Sequence, residues 1–131
     1  MILDKEALLS DDQAITASAV STNVIDLGVS RDIGKGTPVP VLIQVTEDFA
    51  TLTSLTAVLE TSETQNFASS ETLATSGAVA AADLVAGAQL GPLYIPTGVQ
   101  RYIRISYTVA GSDATAGTVT AGVVAAHQQW Y

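Results

Sequence analysis

The run Val99-Gln-Arg-Tyr-Ile-Arg-Ile-Ser-Tyr-Thr-Val-Ala110 admits few conformations. Ile103, Ile105, Tyr107 and Val109 fall on one side of a two-residue period, and Tyr102, Arg104, Ser106 and Thr108 fall on the other. Alternation of this kind, in β-branched and aromatic residues, specifies a half-buried strand. The run Thr118-Val-Thr-Ala-Gly-Val-Val-Ala-Ala126 alternates as well, setting Val119, Ala121, Val123 and Ala125 against Thr118, Thr120, Gly122 and Val124. Between the two lies the polar stretch Gly111-Ser-Asp-Ala-Thr-Ala-Gly117, with glycine at both ends. The pattern predicts a hairpin, its two strands antiparallel neighbours near the centre of a sheet.

Similar signals recur through the chain. Ala19 to Leu27 reads as a strand closed by Gly28, Val41 to Glu47 as a buried strand closed by Glu47-Asp48, and Leu52 to Thr61 as another. Residues 62–71 read as a loop pinned by Phe67. Thr72 to Gly77 and Leu90 to Pro96 read as short strands flanking an alanine-rich piece, Ala78 to Gln89, with room for one helical turn. Pro92 and Pro96 push the second of these towards an edge. At least seven short strands with frequent turns predict an all-β fold, a jelly roll or antiparallel β-sandwich. An immunoglobulin-like sandwich is the rival, without the antibody-type cysteine pair and with Trp130 at the terminus.

The expected organisation is an N-terminal arm or strap over residues 1–18, a β-sandwich over 19–127 and a tail over 128–131. In the first segment Met1, Ile2, Leu3, Leu8 and Leu9 are interspersed with Asp4, Glu6, Asp11 and Asp12. It can pack on the chain's own core as a strand or strap, form a helical turn over residues 4–9, or order against a partner. If it is a partner-binding arm, removing residues 1–9 weakens binding more than stability.

Charge narrows the function. A net charge of −8, with five Lys plus Arg against thirteen Asp plus Glu, opposes binding to a duplex or an anionic membrane. Charged residues make up only 14% of the chain, and Thr, Ser and Ala leave a surface suited to lying against protein. No apolar stretch reaches bilayer-spanning length, and the N-terminus lacks the pattern of a signal peptide, so synthesis and use from the cytoplasm are expected.

Catalytic patterns are missing. Gly34-Lys35-Gly36-Thr37 imitates a phosphate loop, but Gly36 stands where Ser or Thr should follow the lysine. His127 is the only histidine and there is no cysteine, which leaves no zinc set and no acyl-transfer triad. Neither a calcium loop nor a supported carboxylate pair is present. The expectation is a non-enzymatic protein without cofactor or metal, acting as a binder or a building part. The terminal His127-Gln-Gln-Trp-Tyr131 places two aromatics where they either tuck into the core or dock on a neighbour.

Five stretches in register add to this reading. They are Met1-Ile-Leu-Asp-Lys-Glu-Ala-Leu-Leu-Ser-Asp-Asp-Gln-Ala, Arg31-Asp-Ile-Gly-Lys-Gly-Thr-Pro, Gln44-Val-Thr-Glu-Asp-Phe49, Leu73-Ala-Thr-Ser-Gly77 and Arg101-Tyr-Ile-Arg-Ile-Ser-Tyr-Thr-Val109. Together they resemble the capsid cement (decoration) proteins of tailed bacteriophages. The resemblance implies a jelly-roll subunit on the outside of an expanded icosahedral shell, bound to a major capsid protein of the HK97-type fold. It also implies a homodimer, with a trimer as the alternative, clamping neighbouring coat subunits. The partner-contacting residues are then expected to be Met1, Ile2, Leu3, Leu8, Leu9, Arg31, Lys35, Trp130 and Tyr131. The rival function is a virion-borne β-sandwich that binds carbohydrate or a host surface, which needs an aromatic platform drawn from Tyr94, Tyr102, Tyr107 and Trp130.

Overall fold

Two very long strands dominate the computed structural model, which describes residues 3–27, 39–91, 94–95 and 98–124, with only the backbone of residues 3–7 and of Val39. They are β4, Val39–Ser62, and β9, Tyr102–Val124. They run antiparallel, from Val41 opposite Val123 to Ser62 opposite Tyr102. Midway the ladder turns a corner, with register shifts between Val45 and Ser54. The shifts cancel: Val45 faces Val119 and Ser54 faces Ala110, the same register on either side. Because side-chain direction alternates with a period of two, a restored register keeps odd-numbered residues of β4 pointing inward in both halves. Val41, Ile43 and Val45 therefore meet Leu55, Ala57 and Leu59 in one core, joined by Ile103, Ile105, Tyr107, Val119 and Ala121 of β9.

The flanking strands follow the same corner. On the outer side of β9, β1 (Leu3–Ala14) pairs with the half after the corner, while β2 (Ala19–Val20) and β3 (Ile25–Asp26) pair with the half before it. On the outer side of β4, β5 (Glu71–Thr75) and β6 (Val79–Ala80) pair with residues 54–61. A 3-10 turn, Ala81–Asp83, crosses the corner, and β7 (Gln89–Leu90) and β8 (Tyr94–Ile95) pair with residues 39–44. Two layers result, each four strand positions wide, the short strands sharing a position end to end. One is β1, the second half of β9, the first half of β4, then β7 and β8. The other is β2 and β3, the first half of β9, the second half of β4, then β5 and β6. That alternation of strands between layers is the jelly roll.

The expected all-β sandwich is what the chain forms, and the single expected helical turn is the one at Ala81–Asp83. The N-terminal segment takes the strand form, and its residues 4–9 form no helical turn. The hairpin is corrected. Residues 102–110 and 118–124 lie in different layers, each paired with β4, because 111–117 stays extended against the β4 corner. For the same reason Val41 to Glu47 and Leu52 to Thr61 are halves of one strand. Ala19 to Leu27 yields only two short pairings. Residues 28–38, with the Gly34–Thr37 run, and Pro92, Pro96 and His127 lie outside the described residues.

Several corner residues adopt left-handed backbone. Thr51, with φ 83°, is strained, since a β-branched side chain is poorly tolerated there. It is held by a 2.6 Å hydrogen bond between its Oγ1 and that of Thr115. Gly117 has φ 135°, and a Cβ there would collide with the ring of Phe49, itself buried. Gly117→Ala should cost about 3 kcal/mol and lower the melting temperature by roughly 10 °C. Gly77, at φ 70° in open space, is the control: Gly77→Ala should cost only about 1–2 kcal/mol. Thermal unfolding of both variants checks the contrast.

Candidate partner-binding surface

The two ends of the sandwich differ. At the corner end, four connections are tied to one another. Ile15 N–H donates to Gly117 O and Ala114 N–H to Thr16 O, at 3.2 and 2.7 Å. Phe49 N–H donates to Leu84 O at 2.9 Å. Glu47 and Asp48, the adjacent carboxylates, accept backbone N–H groups from Gly117 and Ala86 at 3.2 and 2.7 Å. They satisfy backbone donors of the facing connections, so their role here is structural. Among the described side chains, the corner connections carry Glu47, Asp48, Asp83 and Asp113 and no Lys or Arg.

At the opposite end, the described ladder reaches Leu3 opposite Val124, Val39 opposite Ile95 and Ser62 opposite Tyr102. Leu27 N–H donates to Arg101 O at 2.8 Å. Both described arginines lie here. Arg101 makes a two-pronged contact with Asp26, at 2.9 and 3.1 Å, which raises its already high pKa further, and stands over the Tyr102 ring at 4.9 Å. Arg104 pairs with Glu60 at 3.0 Å and covers the Phe67 ring at 4.1 Å. The pair is mostly shielded from water, so the contact strengthens over a surface one. Phe67, buried as expected, adopts φ 54°, and its N–H donates to Thr64 O. Residues 63–66 lead into this contact with their side chains exposed.

The expected contact residues divide in three. Met1, Ile2, Arg31, Lys35, Trp130 and Tyr131 lie outside the described residues. Leu3 is in β1, at the end opposite the corner, and Leu8 is half-buried. Leu9 is corrected: it is 1% exposed and belongs to the core, because β1 is an integral strand and its inward side chain has the core to pack on. Removing residues 1–9 takes Leu9 out of that core, so the truncation perturbs stability as well as any binding. The aromatic platform is corrected too. Tyr102 and Tyr107 are buried, which leaves Tyr94 as the one exposed aromatic among the described residues.

Missed in the sequence was a polar lock on β1. Ser10 is fully buried, and its Oγ donates to Gln13 Oε1 at 2.8 Å. That leaves Tyr107 O–H as the donor in the 2.8 Å contact between the two hydroxyls. Gln13 in turn accepts from Thr22 N–H and donates to Val20 O, which ties β1 to the returning chain. Asn23 N–H adds a 3.0 Å bond to Leu9 O. The only signal was a tyrosine on the apolar face of its strand, a polar tip that has to find a partner.

The family described as Bbp16 matches residues 9–123. The chain belongs to the Bbp16 family. That family is phage-associated, and the match spans nearly all of both layers. Among curated proteins, nothing matches.

Burial pushes the Tyr107 hydroxyl up to about 12, partly offset because the Ser10 hydroxyl can turn to donate to the phenolate once the tyrosine ionises. Below pH 10 the group is neutral folded and unfolded. Between 10 and 12 the unfolded tyrosine ionises first, so stability should fall by about 1.4 kcal/mol per pH unit from this residue. Tyr107→Phe should flatten that alkaline slope in denaturant titrations. Ser10→Ala strands the Tyr107 hydroxyl and should cost about 1–3 kcal/mol, part of which the double variant Ser10→Ala with Tyr107→Phe should recover.

Proposed function

We propose that this chain is a capsid cement protein, a structural component on the outer surface of a phage capsid that binds the major capsid protein and stabilises the assembled shell. The observation that carries the reading is membership of a phage-associated family over residues 9–123, in a chain whose ordered motifs resemble cement proteins. The jelly roll is compatible with it. The partner is a coat of the HK97-type fold, and the working unit is a homodimer or, in the alternative, a trimer. The chain is made in the host cytoplasm, and its function needs no cofactor, catalysis, nucleic acid or membrane. The carbohydrate-binding alternative loses ground with the burial of Tyr102 and Tyr107.

Cement acts by linkage. A ligand bound to the assembled state alone stabilises it by about 2.7 kcal/mol per site when free ligand is a hundred times Kd. An oligomer bridging coat subunits multiplies the effect through effective concentration. Arg101 and Arg104 are engaged within the chain, so apolar and backbone contacts should dominate the attachment. Charge screening shortens to about 3 Å at 1 M salt. The protein should therefore co-sediment with empty shells in both low and 1 M salt, and particles carrying it should release DNA at a higher temperature than stripped ones. Unchanged heat resistance after stripping removes the cement reading, and selective binding on a glycan array supports the alternative.

A further inference from the structure

Resting on the cement reading, we propose an orientation: the end opposite the corner, with Tyr94 and residues 63–66 as contacts, lies against the coat surface, and the acidic corner end points away from it. Three observations converge.

The first is Tyr94, 46% exposed on the two-residue strand β8, where it pairs through its backbone with Pro40. Aromatic side chains are enriched at the cores of protein interfaces, where they bring large area at low entropic cost. The second is the 63–66 loop. Gln65 and Asn66 are exposed, but the loop beneath them is held by the buried Phe67 ring, the Arg104 guanidinium and Glu60. Asn66 Oδ1 also accepts from Ala68 N–H, and Ser62 Oγ accepts from Thr64 N–H. Phe67 holds a backbone conformation that ordinarily favours glycine. A loop ordered in advance loses little freedom on binding, and its amide side chains suit the exposed carbonyls and N–H groups of another protein.

The third is the asymmetry of charge. Both described arginines lie at this end and compensate Asp26 and Glu60, beside the exposed Glu63 and Glu71. The corner connections carry four carboxylates and no base among the described side chains. Carboxylates are depleted from interface cores because their desolvation is costly. Facing outward, the same groups keep their hydration and repel neighbouring particles. The partner that fits the opposite end is thus a polar protein surface rather than a strongly acidic one.

The chain contains no cysteine, so a single introduced thiol is an unambiguous probe. Gln65→Cys and Ser112→Cys place one thiol at each end, both at exposed positions. Each variant is labelled with a maleimide, free and bound to empty shells, after its melting temperature has been matched to the parent. The Gln65→Cys thiol should label about tenfold or more slowly on the shell, since packed interfaces exclude solvent, and the Ser112→Cys thiol at an unchanged rate. Tyr94→Ala, compared with the parent at a temperature where both are folded, should weaken co-sedimentation about tenfold or more. Protection of the Ser112→Cys thiol, equal labelling of both thiols on the shell, or full binding by Tyr94→Ala overturns the proposal. A parent chain that stays in the supernatant is a different result: it overturns the cement reading itself, before any labelling, and the orientation with it.

Discussion

The structure depends on the backbone ladder between β4 and β9 surviving a turn through the corner. Had pairing ended at Val45 and resumed elsewhere, the halves would be two hairpins free to dock in several ways. Carried through, the ladder places the second layer over the first and sends the apolar residues of each inward. Burying each large apolar side chain then contributes about 1.5–3 kcal/mol, and the core draws on strands from both layers. The flanking strands need little more than a free edge to follow. That explains how β2, β3, β6, β7 and β8 hold their places with two residues each.

A continuous corner is costly locally. Thr51 and Gly117 occupy left-handed backbone, and some N–H groups lose their ladder partners. The fold compensates with groups supplied from the corner itself. Glu47 and Asp48 accept the N–H groups of Gly117 and Ala86, and threonine hydroxyls face each other in the pairs Thr46 with Thr118 and Thr51 with Thr115. The threonine-rich composition thus has a use inside the architecture. So does part of the acidity, which on composition alone looks like a purely solvated surface.

What the sequence made legible was local. Alternation at residues 102–109, 41–47 and 52–61 identified strands and their inner faces, because pleating imposes a period of two wherever one face is buried. It did not say which strands pair. Gly111 and Gly117 mark a departure from ordinary backbone, and a hairpin turn and a sandwich corner demand the same residues. The N-terminal strand was obscured by Asp4, Glu6, Asp11 and Asp12, since an edge strand tolerates charges that a central one would not. Leu9 looked available for a partner because its burial depends on β9, far away in the chain. Of the contact surface, the sequence pointed to the termini and the 28–38 segment. The pinned 63–66 loop is created by tertiary contact, Arg104 resting on Phe67, and no linear motif announces that.

The pairing of Leu3 with Val124 sets an order of events during synthesis. β1 leaves the ribosome well before its partner β9, and β4 waits for β9 along nearly its whole length. Contacts so distant along the chain make for slow folding, because the loop must close before any of them is rewarded. Until β9 has emerged, β1 and the facing side of β4 are unpaired edges with apolar faces. The acids scattered along β1 and the breaks in its register are suited to that interval, keeping nascent chains apart until the closing strand arrives.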